Sequence, residues 1–437
     1  MVTGRGRLAL AAGAGAQWAS RVTGRGAGAM IGGLVAMKLD RSILGQLGSG
    51  RRTVVVTGTN GKSTTTRMAA AALATVGQVA TNAEGANMDA GLVAALAAAP
   101  DASLAALEVD EMHVPHVSDA VDPSVVVLLN LSRDQLDRVG EINHIERTLR
   151  SGLTRHPDAV VVANCDDVLM TSAAYDSPRV VWVAAGSGWA GDSVSCPRSG
   201  EIIVREQNHW YSTAKAPDGG PGGPASDVGP GGPASDVGPG GPAILQRPEP
   251  DWWFDDTHIH GPDGLSIPMT LALPGAANRG NATQAVAAAV TLGADPSAAV
   301  AAVSRVDEVA GRYRTMQVGS HTARVLLAKN PAGWQEALSM VDRDSAGVVI
   351  AVNGQVPDGE DLSWLWDVRF EHFDTVRVVA AGERGTDLAV RLSYAGVEHT
   401  LVHDTQRAIG SCPPGHVEVI ANYTAFLQLN RALERRK

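Results

Sequence analysis

The sequence predicts an α/β protein with two parts. A central parallel-sheet domain carries a phosphate-binding loop, and a smaller C-terminal α/β domain of Rossmann-like type follows it. Three observations carry this. β-branched apolar runs alternate with Ala-rich helical stretches along most of the chain. A glycine-containing loop, Thr57-Gly58-Thr59-Asn60-Gly61-Lys62-Ser63-Thr64, joins the first such run to the first such helix. A second alternation begins after Gly311. At about 100–200 residues per domain, 437 residues suit two to four domains.

Residues 1–45 read as an N-terminal helical segment packed on the central domain. The start is basic, and the apolar run behind it is short and Ala/Gly-rich, which fits a packed helix better than a secretory leader. An interfacial helix is the minor alternative, with Arg5, Arg7, Arg21 and Arg25 toward lipid headgroups. No run of about 20 strongly apolar residues predicts a transmembrane helix. Residues 46–310 form the expected central domain. Its strands are Val54–Val56, Ala105–Val109, Val125–Leu129 and Val160–Ala163, with helices at Ser63–Ala74 and Ile142–Leu149. An insertion occupies about 190–262, and within it residues 217–243 repeat the nonapeptide GPGGPASDV. Pro and Gly at that density hold neither helix nor central strand, so a mobile surface insertion is expected. Residues 311–437 form the C-terminal domain. Its expected strands are Arg324–Leu327, Val348–Val352, Thr375–Val379 and Val417–Ile420, with helices at Gly333–Val341, Gly385–Tyr394 and Tyr423–Arg435.

Composition narrows the function. Hydrophobic residues make up 44% and charged residues 19%, a globular balance. A formal net charge of −10 excludes a generally basic nucleic-acid binder. Three cysteines, Cys165, Cys196 and Cys412, exclude a disulfide scaffold and point to a reducing, cytoplasmic compartment. Lys38, Lys62, Lys215, Lys329 and Lys437 are the whole lysine set.

The loop at 57–64 has the context that phosphate binding needs. Its glycines let backbone N–H groups approach a phosphate, and the helix N-terminus adds partial positive charge. Lys62 would reach the β/γ-phosphates and Ser63 would offer its hydroxyl to Mg²⁺. Glu108 ends the strand in Leu107-Glu108-Val109-Asp110-Glu111, where a carboxylate would make a second Mg²⁺ anchor. A solvated acidic loop is the competing reading, more so for Asp110 and Glu111. The run Asn130-Leu131-Ser132-Arg133-Asp134-Gln135-Leu136-Asp137-Arg138 also follows a strand, and its acids divide evenly between site and helix-cap roles.

Taken together, the segments TGTNGKSTTTRM, TNAEGANMDAG, LEVDEMHVPHV, NLSRDQLDRVGE, LPGAANRGNATQA, VAGRYRTMQVG, LLAKNPAGWQEAL and DGEDLSWLWDVRFE resemble the Mur ligase superfamily, and most closely its MurT branch. The likeness runs from about Gly24 to Phe426, interrupted by the repeat. It implies a Mur-type fold and ATP-dependent amidation of the α-carboxylate of the stem-peptide D-glutamate of lipid II, in peptidoglycan synthesis. The route is an acyl phosphate met by ammonia from a partner glutaminase of class I, GatD type. Work at the inner face of the cell membrane is implied, with at most peripheral membrane contact. The resemblance assigns Thr59, Asn60, Gly61, Lys62, Ser63, Thr64, Asn278 and Arg312 to ATP, and Ser63 and Glu108 to Mg²⁺. It makes Asp361 the catalytic carboxylate, with Asp358 and Asp367 as near alternatives. An amino-acid ligase of Mur or folylpolyglutamate type is the alternative enzyme.

The lysines weigh against that alternative. Many amino-acid-adding relatives use a carbamylated lysine to bridge a second Mg²⁺, and no lysine lies between Ser63 and Ala214. Lys329 is the other lysine in a plausible site, with either a functional or a helix-cap role. Zinc is not expected. Relatives often carry a four-cysteine ribbon, and here Cys196 is followed by Ser199, with no second pair in Arg247–Trp252. Trp210, Trp252, Trp253 and Phe254 are expected to hold the insertion together instead. Neither Cys165 nor Cys412 sits in a nucleophile turn, so glutamine hydrolysis needs another chain. Trp364 and Trp366 are candidates for its docking surface.

Overall fold

The computed structural model describes the chain except for residues 1, 23–28, 83–84, 134–140, 188–190, 214–244, 308–312, 360, 372, 374–375 and 435–437. The nonapeptide repeat and Arg312 therefore lie outside the described residues. The chain divides into two compact units. The first comprises residues 1–131, 140–272 and 276–306, and the second 132–139, 273–275 and 307–437.

Three helices open the first unit: α1 (Gly4–Val22), α2 (Ala29–Leu39) and α3 (Ile43–Gly48). Then come β1 (Arg52–Thr57), α4 (Lys62–Leu73), β2 (Val79–Thr81), α5 (Asp89–Ala98), β3 (Leu104–Glu108) and α6 (Val114–Val121). They are followed by β4 (Val125–Leu128), α7 (Glu141–Leu153), β5 (Val160–Asn164), α8 (Val168–Ala174) and β6 (Val180–Val183). The six strands form one parallel sheet in the order β2-β3-β1-β4-β5-β6. All residues of β3, β4 and β5 are buried, as are all of β1 but Arg52. Strands covered on both faces have no polar side to show, which is why they read as unbroken Val and Ala runs.

The insertion adds a hairpin, β7 (Ile203–Glu206) with β8 (His209–Ser212), and an antiparallel sheet of β9 (Trp253–Phe254), β10 (His258–Gly261) and β11 (Leu265–Pro268). Its aromatic residues do not all do what the sequence led us to expect. Trp210 and Trp252 are buried, but Trp253 is 43% exposed and stacks on His260. Phe254 is only half-buried, beneath the guanidinium of Arg279. Cys196 lies in an apolar cluster with Val168, Ile203, Trp210 and Leu245, and the Ser199 and Ser212 hydroxyls are 3.3 Å apart.

Helices α9 (Ala276–Thr291) and α10 (Pro296–Ser304) complete the unit. Helix α9 packs on α4, and Gln284 Nε2 donates to the Leu128 carbonyl at 2.9 Å, fixing α9 to β4. At the N-terminus, α1 packs on α2 and α2 on α5. A Cβ on Gly33 would lie 1.9 Å from the Ala90 carbonyl oxygen, so this approach requires glycine.

The second unit contains β12 (Tyr313–Val318), β13 (His321–Leu327), α11 (Pro331–Ser339), β14 (Gly347–Ala351) and β15 (Val378–Ala381). It continues with α12 (Gly385–Tyr394), β16 (His399–Leu401), α13 (Thr405–Gly410), β17 (Gly415–Ala421) and α14 (Tyr423–Glu434). Its sheet runs β12-β13-β17-β14-β15-β16, with β12 antiparallel to β13 and the other pairs parallel. The strand expected at Thr375–Val379 begins at Val378.

One half-buried acid ties two elements of the first unit together. Asp167 accepts from the Met170 N–H at 2.9 Å, capping α8, and from the Leu131 N–H at 3.0 Å, just past β4. Burial pushes its carboxyl up to about 6, against the lowering effect of those donors. The folded chain thus holds this proton more tightly than the unfolded chain. The site favours folding fully below the ordinary value of 3.8 and loses that contribution as pH rises through about 6. Wild-type stability relative to Asp167→Asn, measured by denaturant unfolding, should therefore rise as pH falls from about 7 to about 4. A flat or opposite trend contradicts this.

Candidate nucleotide site and the carboxylates of the second unit

The loop after β1 is built from two glycines that nothing else can replace. Gly58 has φ +141° and Gly61 φ +84°. A Cβ on Gly58 would lie 2.8 Å from Leu129 Cβ and 2.9 Å from the Asn130 carbonyl oxygen. A Cβ on Gly61 would lie 2.8 Å from Asn281 Oδ1. Asn130 straps the loop down. The Thr59 N–H donates to its carbonyl at 2.8 Å, the Asn60 N–H to its Oδ1 at 2.9 Å, and its Nδ2 donates to the Asn60 carbonyl at 3.0 Å. Gly61 then caps α4, whose first backbone bond runs from the Thr65 N–H to the Gly61 carbonyl at 2.9 Å. The N–H groups of the first helical turn have no partner inside the helix, so this end attracts an anion.

Lys62 is half-buried in the loop. Its Nζ donates to the Gly58 carbonyl at 2.6 Å and lies 3.3 Å from Glu111 Oε1. Glu108 ends β3, the strand paired with β1. The register of β1 and β3 pairs Val56 with Glu108. Asn82 holds the Glu108 backbone at both groups: the Glu108 N–H donates to Asn82 Oδ1 and Asn82 Nδ2 to the Glu108 carbonyl, each at 2.8 Å. The Glu108 side chain is 3% exposed, and its Oε2 has no hydrogen-bond partner among the described residues. A buried carboxylate oxygen left unpaired is costly. A hard cation is what relieves it. Mg²⁺ characteristically takes one or two protein oxygens and completes its shell with phosphate and water. Among the described residues no three His, Cys, Asp or Glu side chains form a ready-made cage, so a single carboxylate beside a phosphate loop suits Mg²⁺ with a nucleotide.

The structure thus gathers Thr59, Asn60, Gly61, Lys62, Ser63, Thr64 and Glu108 at the C-terminal end of the first sheet. Asn278 is 1% exposed on α9, one turn before the Asn281 that abuts Gly61. Four residues complete the site that the sequence reading left open or missed. Glu111 was set against a solvated loop, yet it is 8% exposed and paired with Lys62. Asn130 had no role of its own, and the acids of its run, Asp134 and Asp137, lie outside the described residues. Asn82 and Asn281 had no role, although they stand in the strings TNAEGANMDAG and LPGAANRGNATQA.

In the second unit the three aspartates differ. Asp358 accepts from the N–H and the hydroxyl of Thr424, capping α14 with both oxygens. Asp361 is exposed, and donors of Ser363, the N–H at 2.8 Å among them, hold its carboxyl below the usual carboxylate range. Asp367 follows the 3₁₀ turn Ser363–Trp366. Beside Asp361 opens a pocket of ≈ 340 Å³, with Leu362, Ser363, Trp366 and Arg384 in its lining. Trp364 is not a docking residue: it is 6% exposed and stacked on the fully buried Trp334 at 5.4 Å. Trp366 is 56% exposed, edge-on to Tyr394. Lys329 places its Nζ 5.6 Å from the centre of the Tyr423 ring. Burial pushes the Cys165 thiol up to about 12 and the Cys412 thiol up as well, so neither supplies a thiolate near neutral pH.

Comparison with known proteins agrees with this construction. The Mur ligase middle domain matches residues 56–196, and the MurT ligase C-terminal domain matches residues 327–426. The fold is shared with solved Mur-type enzymes. A pseudomurein peptide ligase type C from Methanothermus fervidus superposes with TM-score 0.62 at 17% identity, over 89% of this chain and 79% of that one. MurF from Acinetobacter baumannii superposes with TM-score 0.62 at 16% identity, over 93% and 81%. The chain belongs to the Mur ligase family. Within that family it is of the MurT type. It is 28% identical to the subunit MurT of the glutamine-hydrolyzing lipid II isoglutaminyl synthase of Streptococcus pneumoniae, over 94% of each chain. Against the MurT subunit of Staphylococcus aureus it is 27% identical over 96% of each.

The Lys62–Glu111 pair sets one expectation. A nucleotide phosphate competes with Glu111 for Lys62 and is repelled by the same carboxylate. Glu111→Gln should tighten ATP binding by up to about 5-fold, the order of one partly buried ion pair. Isothermal titration reads this, and weaker binding in the variant contradicts it.

Proposed function

We propose that this chain is the synthetase subunit of a lipid II isoglutaminyl synthase. It amidates the α-carboxylate of the stem-peptide D-glutamate, using ATP and ammonia released from glutamine by a partner glutaminase of GatD type. The observation that carries the ATP half is the phosphate loop beside a buried Glu108 oxygen with no partner. The substrate follows from the MurT relatives, alike over nearly the whole chain. The reading places the work in the cytoplasm, at the inner face of the membrane that holds lipid II. No described helix is long and apolar enough to cross that membrane.

In this reading the loop N–H groups and Lys62 hold the phosphates, with Asn278 and Arg312 completing the nucleotide contacts. Ser63 and Glu108 would hold Mg²⁺, which would supply charge neutralisation for phosphoryl transfer. Asn130 and Asn82 keep loop and carboxylate in place, since small displacements of such groups cost rate. Neutral ammonia attacks the carbonyl of the acyl phosphate, the bond from that carbon to the phosphate oxygen breaks, and the carboxamide forms as inorganic phosphate and a proton leave. Asp361 is the carboxylate assigned to that step. Its lowered pKa suits holding and orienting the incoming nitrogen rather than taking its proton. Asp358 has both oxygens occupied by Thr424 and is the weaker candidate. A thiolate for glutamine hydrolysis would need a cysteine unlike Cys165 or Cys412, and the partner chain supplies it.

Purified chain given ATP, Mg²⁺, ammonium and lipid II should convert the stem carboxylate to a carboxamide, read by mass spectrometry. Attachment of an added amino acid instead would overturn the reading in favour of an ordinary ligase. Asp361→Asn should abolish amidation while ATP still binds. Retained amidation would move the role to Asp358 or Asp367.

A further inference from the structure

The N-terminal helices expose a surface that the amidation chemistry does not use. Residues 1–39 contain Arg5, Arg7, Arg21, Arg25 and Lys38 and no Asp or Glu. The whole chain carries a formal charge of −10, so these five positive charges leave the rest at −15. Helix α1 buries Gly6, Ala9, Gly13 and Ser20 along one face. Leu8, Trp18 and Val22 fall on the opposite face and are 74%, 68% and 66% exposed. Helix α2 turns Gly32, Gly33 and Ala36 inward and leaves Met30, Ile31 and Leu34 at 48%, 40% and 56% exposed. Arg7 and Arg21 border the α1 stripe on one side and Arg5 on the other, and Lys38 continues the exposed row of α2.

The two helices act as one piece. A Cβ on Gly13 would lie 2.5 Å from the Gly32 carbonyl oxygen, so their backbones touch. Arg5 donates to the Leu39 carbonyl at 2.9 and 2.7 Å, closing the far ends together. Single exposed apolar side chains are ordinary. Three on one face of one helix, one a tryptophan, are not. The charge selects the occupant. A Trp- and Leu-bearing helical face edged by arginine and free of acid matches the headgroup boundary of an anionic bilayer.

We propose that α1 forms a peripheral membrane-binding face. Its apolar side chains enter the headgroup boundary of an anionic bilayer, and its arginines lie at the lipid phosphates. The inference stands apart from the amidation reading, because it concerns adsorption to lipid and needs no substrate.

Flotation of the full chain with phosphatidylcholine vesicles, with and without phosphatidylglycerol, tests it. The chain should float with the anionic vesicles, remain below with the neutral ones, and be released by high salt. Trp18→Ser combined with Leu8→Ser should lower the bound fraction by about 10-fold or more, with an unchanged thermal melt. Leu8→Ser alone should act in the same direction. Arg7→Gln with Arg21→Gln should remove the preference for anionic lipid. No flotation, equal flotation on both vesicles, or unaltered flotation of the variants overturns the proposal. So does a dimer, seen in sedimentation, that Trp18→Ser disperses in a chain that never binds vesicles. That result would give the face to a second copy of this chain.

Discussion

A buried carboxylate oxygen with no partner among the described residues is the constraint around which the first unit is arranged. Burying Glu108 Oε2 in this way costs stability, and the fold could relieve the cost with a nearby donor. Instead Asn82 grips the Glu108 backbone and leaves the carboxylate alone. The cation nearest the loop, Lys62, is held by Glu111 and the Gly58 carbonyl. The two acids therefore differ: Glu111 pairs with the lysine, and Glu108 keeps an oxygen that has no partner among the described residues. Asn130 supplies the rigidity by binding the loop backbone at three points, and the two left-handed glycines let the chain come close enough for that.

Much of this was legible in the sequence where one residue type carries one physical demand. The run Val54-Val55-Val56 before Gly-Lys-Ser announced a buried strand, a turn and a helix, and β1 and α4 follow it. Helix α12 occupies the expected Gly385–Tyr394. Glu108 was readable because an acid at the end of a buried strand has few other reasons to be there. Short elements were not readable: β2, β6 and β16 have three or four residues, too few for any period to show. Roles that depend on distant neighbours were hidden too. Asn130 and Glu111 act through residues 70 and 49 positions away. Trp364 looked like an interface residue until Trp334 was found stacked on it, and Trp253 looked like core until β9 placed it at the surface.

The second unit shows the same separation of roles among like residues. Asp358 and Asp361 stand three positions apart, yet one is spent on capping a helix and the other is exposed, with its carboxylate accepting from Ser363. The cysteines likewise sort by environment: burial raises the Cys165 and Cys412 thiols, and Cys196 fills an apolar cluster. The charge distribution is uneven in the same way, with the basic, acid-free N-terminal helices set in an acidic chain.

The central claim is that the bare Glu108 oxygen is a place for Mg²⁺. Nucleotide binding measured with and without Mg²⁺, in the wild type and in Glu108→Gln, tests it most directly. The substitution keeps the shape of the side chain and removes its charge. The account predicts that Mg²⁺ tightens ATP binding to the wild type and that most of this tightening disappears in the variant. Metal-dependent tightening of equal size in both proteins would contradict it.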